Sequence, residues 1–236
     1  MNTNEFPKSN REVSDEQRVL FFSRLAMSHI PEMRLLFRGG KLWETSGWRN
    51  VVEHSLVQVA ISEELAELLD LNEEETRKIT TAALCHDWAK RLEIKPQEFS
   101  SEERNKAEEF LKKVKPDSQL MDATGEKFHE RALLKGEATF LEKLQFYIDD
   151  ICKGSEIVPF DERIDAVEAK RQDLNSAAEY LKLFGARYWD NERKLGHAVE
   201  EEVFLKLKGR GYNIASPKDI PKFIEQRINR KIESNA

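Results

Sequence analysis

Four residues combine ligand or acid–base chemistry with apolar surroundings: His54, His86, Asp87 and Asp149. His86-Asp87 follows Ala82, Ala83, Leu84 and Cys85 and precedes Trp88. These are two side chains that are costly to bury unless paired, hydrogen-bonded or bound to a metal. Adjacent imidazole and carboxylate at a helix end can ligate one divalent ion, although an isolated pair more often marks a capping His beside a solvated Asp. His54 falls near an apolar stripe, away from the charged face of Glu63, Glu64 and Glu67. Asp149 sits beside Tyr147 and Ile148 on a mostly apolar run and needs an arginine or a metal as partner. Together they form a hard-to-borderline donor set suited to one divalent ion, Mn2+, Fe2+, Co2+, Mg2+ or Zn2+. Such an ion acidifies a coordinated water and polarises a phosphoryl oxygen, so hydroxide can attack phosphorus near neutral pH.

Helices must hold these groups, because the ligands are far apart in the chain. Val52, Leu56, Val59, Ala60, Leu65 and Leu68 recur at helical spacing and predict a long amphipathic helix ending near Asp70. Asn72 with Glu75 predicts a capped second helix that carries His86-Asp87 at its C-terminal end. A charged helix is expected from about Ser101 to Val114, and a third apolar helix after Thr139 carries Asp149. Further helices are expected from Pro159 toward Glu168, over Asn175 to Leu183, over Glu192 to Leu207, and after Ser216-Pro217. Upstream, residues 1–12 read as a disordered lead and 13–41 as two short helices; Trp43 and Trp48 stand in a loop before His54.

Composition agrees with an all-α protein. Of 236 residues, 35% are charged and only 10 are Gly and 7 Pro, which suits long helices better than a turn-rich β fold. A net charge of -6 disfavours a nucleic-acid-coating surface while leaving room for a local basic pocket. Two cysteines, Cys85 and Cys152, cannot build a disulfide framework and are expected to be reduced. The polar N-terminus lacks the apolar segment of a signal peptide, and no apolar run reaches membrane-spanning length, so a cytoplasmic protein without membrane association is expected.

The order His, His-Asp, later Asp resembles the HD-domain superfamily of metal-dependent phosphohydrolases. The pieces are Asn50-Val-Val-Glu-His-Ser55, Ala83-Leu-Cys-His-Asp-Trp-Ala-Lys90, and Phe146-Tyr-Ile-Asp149 followed by Ile157-Val-Pro-Phe-Asp-Glu-Arg163. The resemblance implies an HD-domain-like helical bundle over 42–170, with extra N-terminal helices and a C-terminal helical extension over 171–236. It implies His54, His86, Asp87 and Asp149 as metal ligands. Asp87 would also orient or deprotonate the attacking water, and Lys90 would hold a substrate phosphate or stabilise the leaving oxyanion. Arg49 and Arg91 join Lys90 as candidate phosphate contacts.

Two branches of the family compete. The first piece looks most like the branch that dephosphorylates deoxynucleoside monophosphates, but that branch has Glu where Lys90 stands and Arg where Gly47 stands. Lys90, Thr124-Gly125 and Arg163 resemble instead the hydrolases of dinucleoside polyphosphates, which hold a second metal with extra histidines. Only His129 lies in that interval, as an extra ligand or substrate contact, so one metal is expected. The expected activity is hydrolysis of a nucleotide or related small phosphoester by metal-bound hydroxide, with phosphomonoesterase preferred over polyphosphate or phosphodiester cleavage. A non-catalytic nucleotide sensor and an RNA-associated module, using C-terminal cations such as Arg227 and Lys231, are the alternatives; a homodimer stays open.

Overall fold

The computed structural model describes residues 49–87, 97, 100–154 and 156–234. The lead, the helices expected over 13–41, the loop with Trp43 and Trp48, and Lys90 and Arg91 lie outside the described residues.

The described chain is mostly helical, with two two-residue strands. Helix α1, Arg49–Leu69, runs 21 residues and is apolar on two sides. Leu56, Ala60, Ile61, Leu65 and Leu68 enter the main core, while Val59 enters a smaller cluster with Ala83, Leu84 and Cys85. It ends in a left-handed residue, Asp70 (φ 53°), and the Leu71 amide returns to the Ala66 carbonyl. This satisfies an end carbonyl of the helix and reverses the chain. Helix α2, Glu73–Cys85, then starts from the expected Asn72–Glu75 capping box and packs along α1. Burial of Ile79, Ala82 and Ala83 against α1 leaves His86 and Asp87 at the open end of this hairpin.

Helix α3 is Ser101–Val114, α4 is Ser118–Met121 and α5 is Gly125–His129, continued by a π-helical turn over Glu130–Lys135. Helix α6, Phe140–Asp150, opens with a capping box between Thr139 and Glu142. It buries Leu144, Phe146, Tyr147 and Ile148 and packs against both α2 and α1. An antiparallel pair follows, β1 (Cys152–Lys153) with β2 (Glu156–Ile157), in the register Cys152 to Ile157. Then come α7 (Phe160–Glu168), α8 (Ala178–Phe184), α9 (Tyr188–Gly209) and α10 (Ile220–Ser234).

The C-terminal helices complete the same core. Val199, Val203 and Leu207 of α9 and Ile220, Ile224, Ile228 and Ile232 of α10 join the cluster that contains Leu56 and Tyr147. Where α7 meets α9, Gly196 is required by close approach, since a Cβ there would fall 1.9 Å from the Phe160 ring. Helix α10 lies on α1, and Arg227 donates to Glu64 at 2.7 Å and to Glu67 at 2.6 Å, with Lys231 beside both acids. Glu64, expected on a solvated face, is therefore buried, and its charge is neutralised by a helix 160 residues away in sequence rather than by water. No helix among the described residues is long and apolar enough to cross a membrane.

Candidate metal centre

Three helices deliver the four expected ligands to one point. His54 lies one turn into α1 and is buried; Asp149 is the penultimate residue of α6. His86 is the C-cap of α2, still right-handed helical, with its amide donating to the Ala82 carbonyl at 2.8 Å.

Each imidazole is oriented through its Nδ1. His86 Nδ1 is 2.9 Å from the Ala83 carbonyl oxygen, and His54 Nδ1 is 3.2 Å from the Gly154 carbonyl oxygen. A carbonyl oxygen only accepts, so both Nδ1 atoms carry the hydrogen and neutral rings present an Nε2 lone pair to the centre. Gly154 (φ 63°) sits at the β1–β2 turn, in the left-handed region where glycine is unstrained, and this small hairpin exists at the place where His54 needs an acceptor. Fixing a ligand histidine through its second nitrogen is the ordinary outer support of a metal site.

The Nε2 atoms meet two carboxylates. Asp149 Oδ1 lies 3.0 Å from His54 Nε2 and 3.5 Å from His86 Nε2. Asp87 Oδ2 lies 3.9 Å from His54 Nε2 and 3.7 Å from His86 Nε2. The two rings stand edge to face with centroids 5.7 Å apart. His86 Nε2 is buried without a hydrogen-bond partner. Lone pairs of two imidazoles and two carboxylates converging in a buried space repel one another unless a proton or a cation stands among them. His54, His86 and Asp87 each offer a ligand atom within 4.8 Å of the others and could hold a metal ion, and Asp149 closes on both histidines.

A proton on an Nε2 atom, making the ring an imidazolium, relieves the same repulsion. Burial opposes protonation of His86, but the neighbouring Asp149 and Asp87 carboxylates outweigh it and the ring's pKa is raised. Burial likewise opposes ionisation of Asp149, yet His54 and His86 hold its carboxyl well below the usual range. The site thus concentrates negative charge that protons relieve and a cation would relieve better. Both cysteines near it are inert: burial pushes the Cys85 thiol up to about 12, and burial with the Asp149 charge raises that of Cys152. Both are held as thiols at neutral pH in the metal-free protein.

The other expected residues separate. Arg163 of α7 lines a cavity of about 130 Å3 that reaches Asp149 and is also bordered by Asp150, Tyr188 and Glu192. Its Nε is buried without a partner. The structure does not bring His129 into the cluster. It is fully buried, accepts the Tyr180 hydroxyl at 2.6 Å through Nδ1, and holds a Glu192 oxygen 2.6 Å from Nε2. Lys90 and Arg91 lie outside the described residues, and of Arg49 only its place at the start of α1 is described.

One site residue escaped the sequence reading. Gln58, fully buried and one turn after His54, reaches His54 Nε2 and Asp149 Oδ1, each at 2.7 Å. Its spacing of four from His54 was the available signal, since residues i and i+4 share a helix face. Comparison with family models, curated proteins and solved structures returned no match.

Proposed function

We propose that the chain is a metal-dependent phosphohydrolase with an HD-domain-like helical bundle, acting on a nucleotide or related small phosphoester. The observation that carries this reading is the pair of buried imidazoles whose Nδ1 atoms are committed to the Ala83 and Gly154 carbonyls, so that both Nε2 lone pairs face Asp87 and Asp149. A divalent ion held by this set supplies an acidified water and a polarised phosphoryl oxygen.

The protein's own groups do the rest. His54 and His86 are neutral donors of fixed tautomer, and the two carboxylates offset the charge of the ion. Asp87, at the open end of the α1–α2 hairpin, orients the attacking water and takes up its proton. Arg163, which lines the cavity that reaches Asp149, holds phosphate oxygens by charge-assisted hydrogen bonds. Phosphomonoester cleavage is the preferred reaction within this class.

The test joins two measurements on the purified full chain. Metal analysis and thermal melts with Mn2+ or Co2+ report the centre, and phosphate release from a panel of nucleotides and phosphoesters reports the reaction, with Asp87→Ala as control. A chain that neither carries nor is stabilised by any divalent ion sinks the centre. Asp87→Ala as active as the parent sinks the assigned chemistry.

A further inference from the structure

We propose that the Gln58 side-chain carbonyl is an additional ligand of the divalent ion, making the donor set two imidazoles, two carboxylates and one amide oxygen. This rests on the metal-centre reading above. Gln58 is fully buried on α1, and its amide nitrogen lies 2.7 Å from both His54 Nε2 and Asp149 Oδ1. The amide head therefore occupies the gap between two ligand atoms that are themselves only 3.0 Å apart.

With no cation present, the NH2 group is the correct end to face two acceptors, one hydrogen to each. Its Oε1 is then buried without a partner. A cation taking the single Nε2 lone pair of His54 removes that acceptor and sets a positive charge against the NH2 hydrogens, while Asp149 keeps a spare lone pair. Left in that orientation, the amide would keep one hydrogen bond, to Asp149, and leave its other N–H and its Oε1 unsatisfied, and full burial gives it no water to turn to. Half a turn about the terminal torsion, which is broad and nearly two-fold, reverses oxygen and nitrogen at little cost. The carbonyl oxygen then stands where the nitrogen stood, beside His54 and Asp149, and one end of the amide is satisfied by the ion. Metal binding and amide reversal are in this way coupled.

An amide oxygen is a hard, neutral donor of the kind that Mn2+ and Mg2+ accept in five- or six-fold surroundings, whereas Zn2+ is content with four ligands. Gln58 should accordingly bias the site towards Mn2+ over Zn2+.

The experiment titrates metal-free full-length protein with Mn2+, following free Mn2+ by electron paramagnetic resonance, and with Zn2+ in competition. Parent, Gln58→Met and Gln58→Glu are compared, each checked for folding by circular dichroism. We expect Gln58→Met to bind Mn2+ about tenfold to a hundredfold more weakly and to shift in favour of Zn2+. Gln58→Glu keeps an oxygen at the position and should bind Mn2+ as tightly as the parent or more so, which also holds if the Met variant fails to fold. Parent-like Mn2+ affinity in Gln58→Met overturns the ligand role and leaves the centre standing. Equal weakening in both variants also overturns it, as the mark of a residue that only packs. A parent that binds neither ion overturns the centre and this inference with it.

Discussion

His54 and His129 are both buried imidazoles next to acids, and they leave opposite things undone. Around His129 the polar groups close on themselves. Asn191 donates to the Tyr180 hydroxyl at 3.0 Å, Tyr180 donates to His129 Nδ1 at 2.6 Å, and His129 Nε2 sits 2.6 Å from Glu192. Each ring nitrogen has one protein group against it, the Tyr180 hydroxyl at Nδ1 and a Glu192 oxygen at Nε2. Around His54 and His86 the Nδ1 side is closed by backbone carbonyls, while the two Nε2 atoms converge on the carboxylates of Asp149 and Asp87, with the Gln58 amide against His54. Residue type does not separate ligand from brace. Where the second nitrogen points does.

That contrast can be broken most severely by exchanging the roles. His86→Ala should weaken Mn2+ binding by at least about 100-fold, beyond the loss typical of outer-shell residues, measured by titration of the metal-free protein. His129→Phe should leave Mn2+ affinity unchanged and instead lower unfolding free energy by about 2–4 kcal/mol in urea, because Glu192 and Tyr180 lose a buried partner. If His129→Phe loses the metal and His86→Ala loses only stability, the assignment is reversed.

A smaller effect sharpens the contrast through pH. Asp149 and Asp150 are neighbours on α6, yet their carboxyls are driven apart. Burial, then the charges of Glu192 and Asp149, holds Asp150 well above the usual range against the opposing Arg163, while His54 and His86 keep Asp149 well below it. A carboxyl with a raised folded pKa binds more protons folded than unfolded, so stability is lost as pH rises from its unfolded value through the folded one. Asp150→Asn keeps a donor towards Glu192 and removes that dependence. Its stability relative to the parent should rise as pH climbs from the unfolded carboxyl value towards the higher folded one, read from urea melts of the metal-free protein. A relative stability that falls over this range would refute the sign.

The least effect is expected at the helix starts. Asn72→Ala and Thr139→Ala each remove a capping box, from α2 and α6 respectively, and each should cost about 1 kcal/mol. Mn2+ affinity should barely change, because the ligands stand at the opposite ends of these helices.

Much of the scaffold was legible because periodicity and caps are local. The apolar spacing of α1, the Asn72–Glu75 box and the apolar run of α6 name three helices, and the same spacing turns His54 and Asp149 inward. The β1–β2 hairpin was not legible, since strands of two residues carry no alternation to detect. Yet its Gly154 carbonyl sets the tautomer of His54. Glu64 reads as a solvated acid until α10 covers it, and His129 reads as a spare ligand until Tyr180 and Glu192 arrive from α8 and α9.

The amino-acid order by itself determined the helical class and the inward faces of α1 and α6, and it singled out four candidate donor side chains, all consequences of chemistry within a few turns of helix. Only the tertiary structure decided which nitrogen His54 offers, that Gln58 stands between His54 and Asp149, and that His129 packs against Tyr180 and Glu192. Those outcomes depend on contacts across 50 to 100 residues, and packing of distant helices, which no local pattern encodes, is what brings such partners within hydrogen-bond reach.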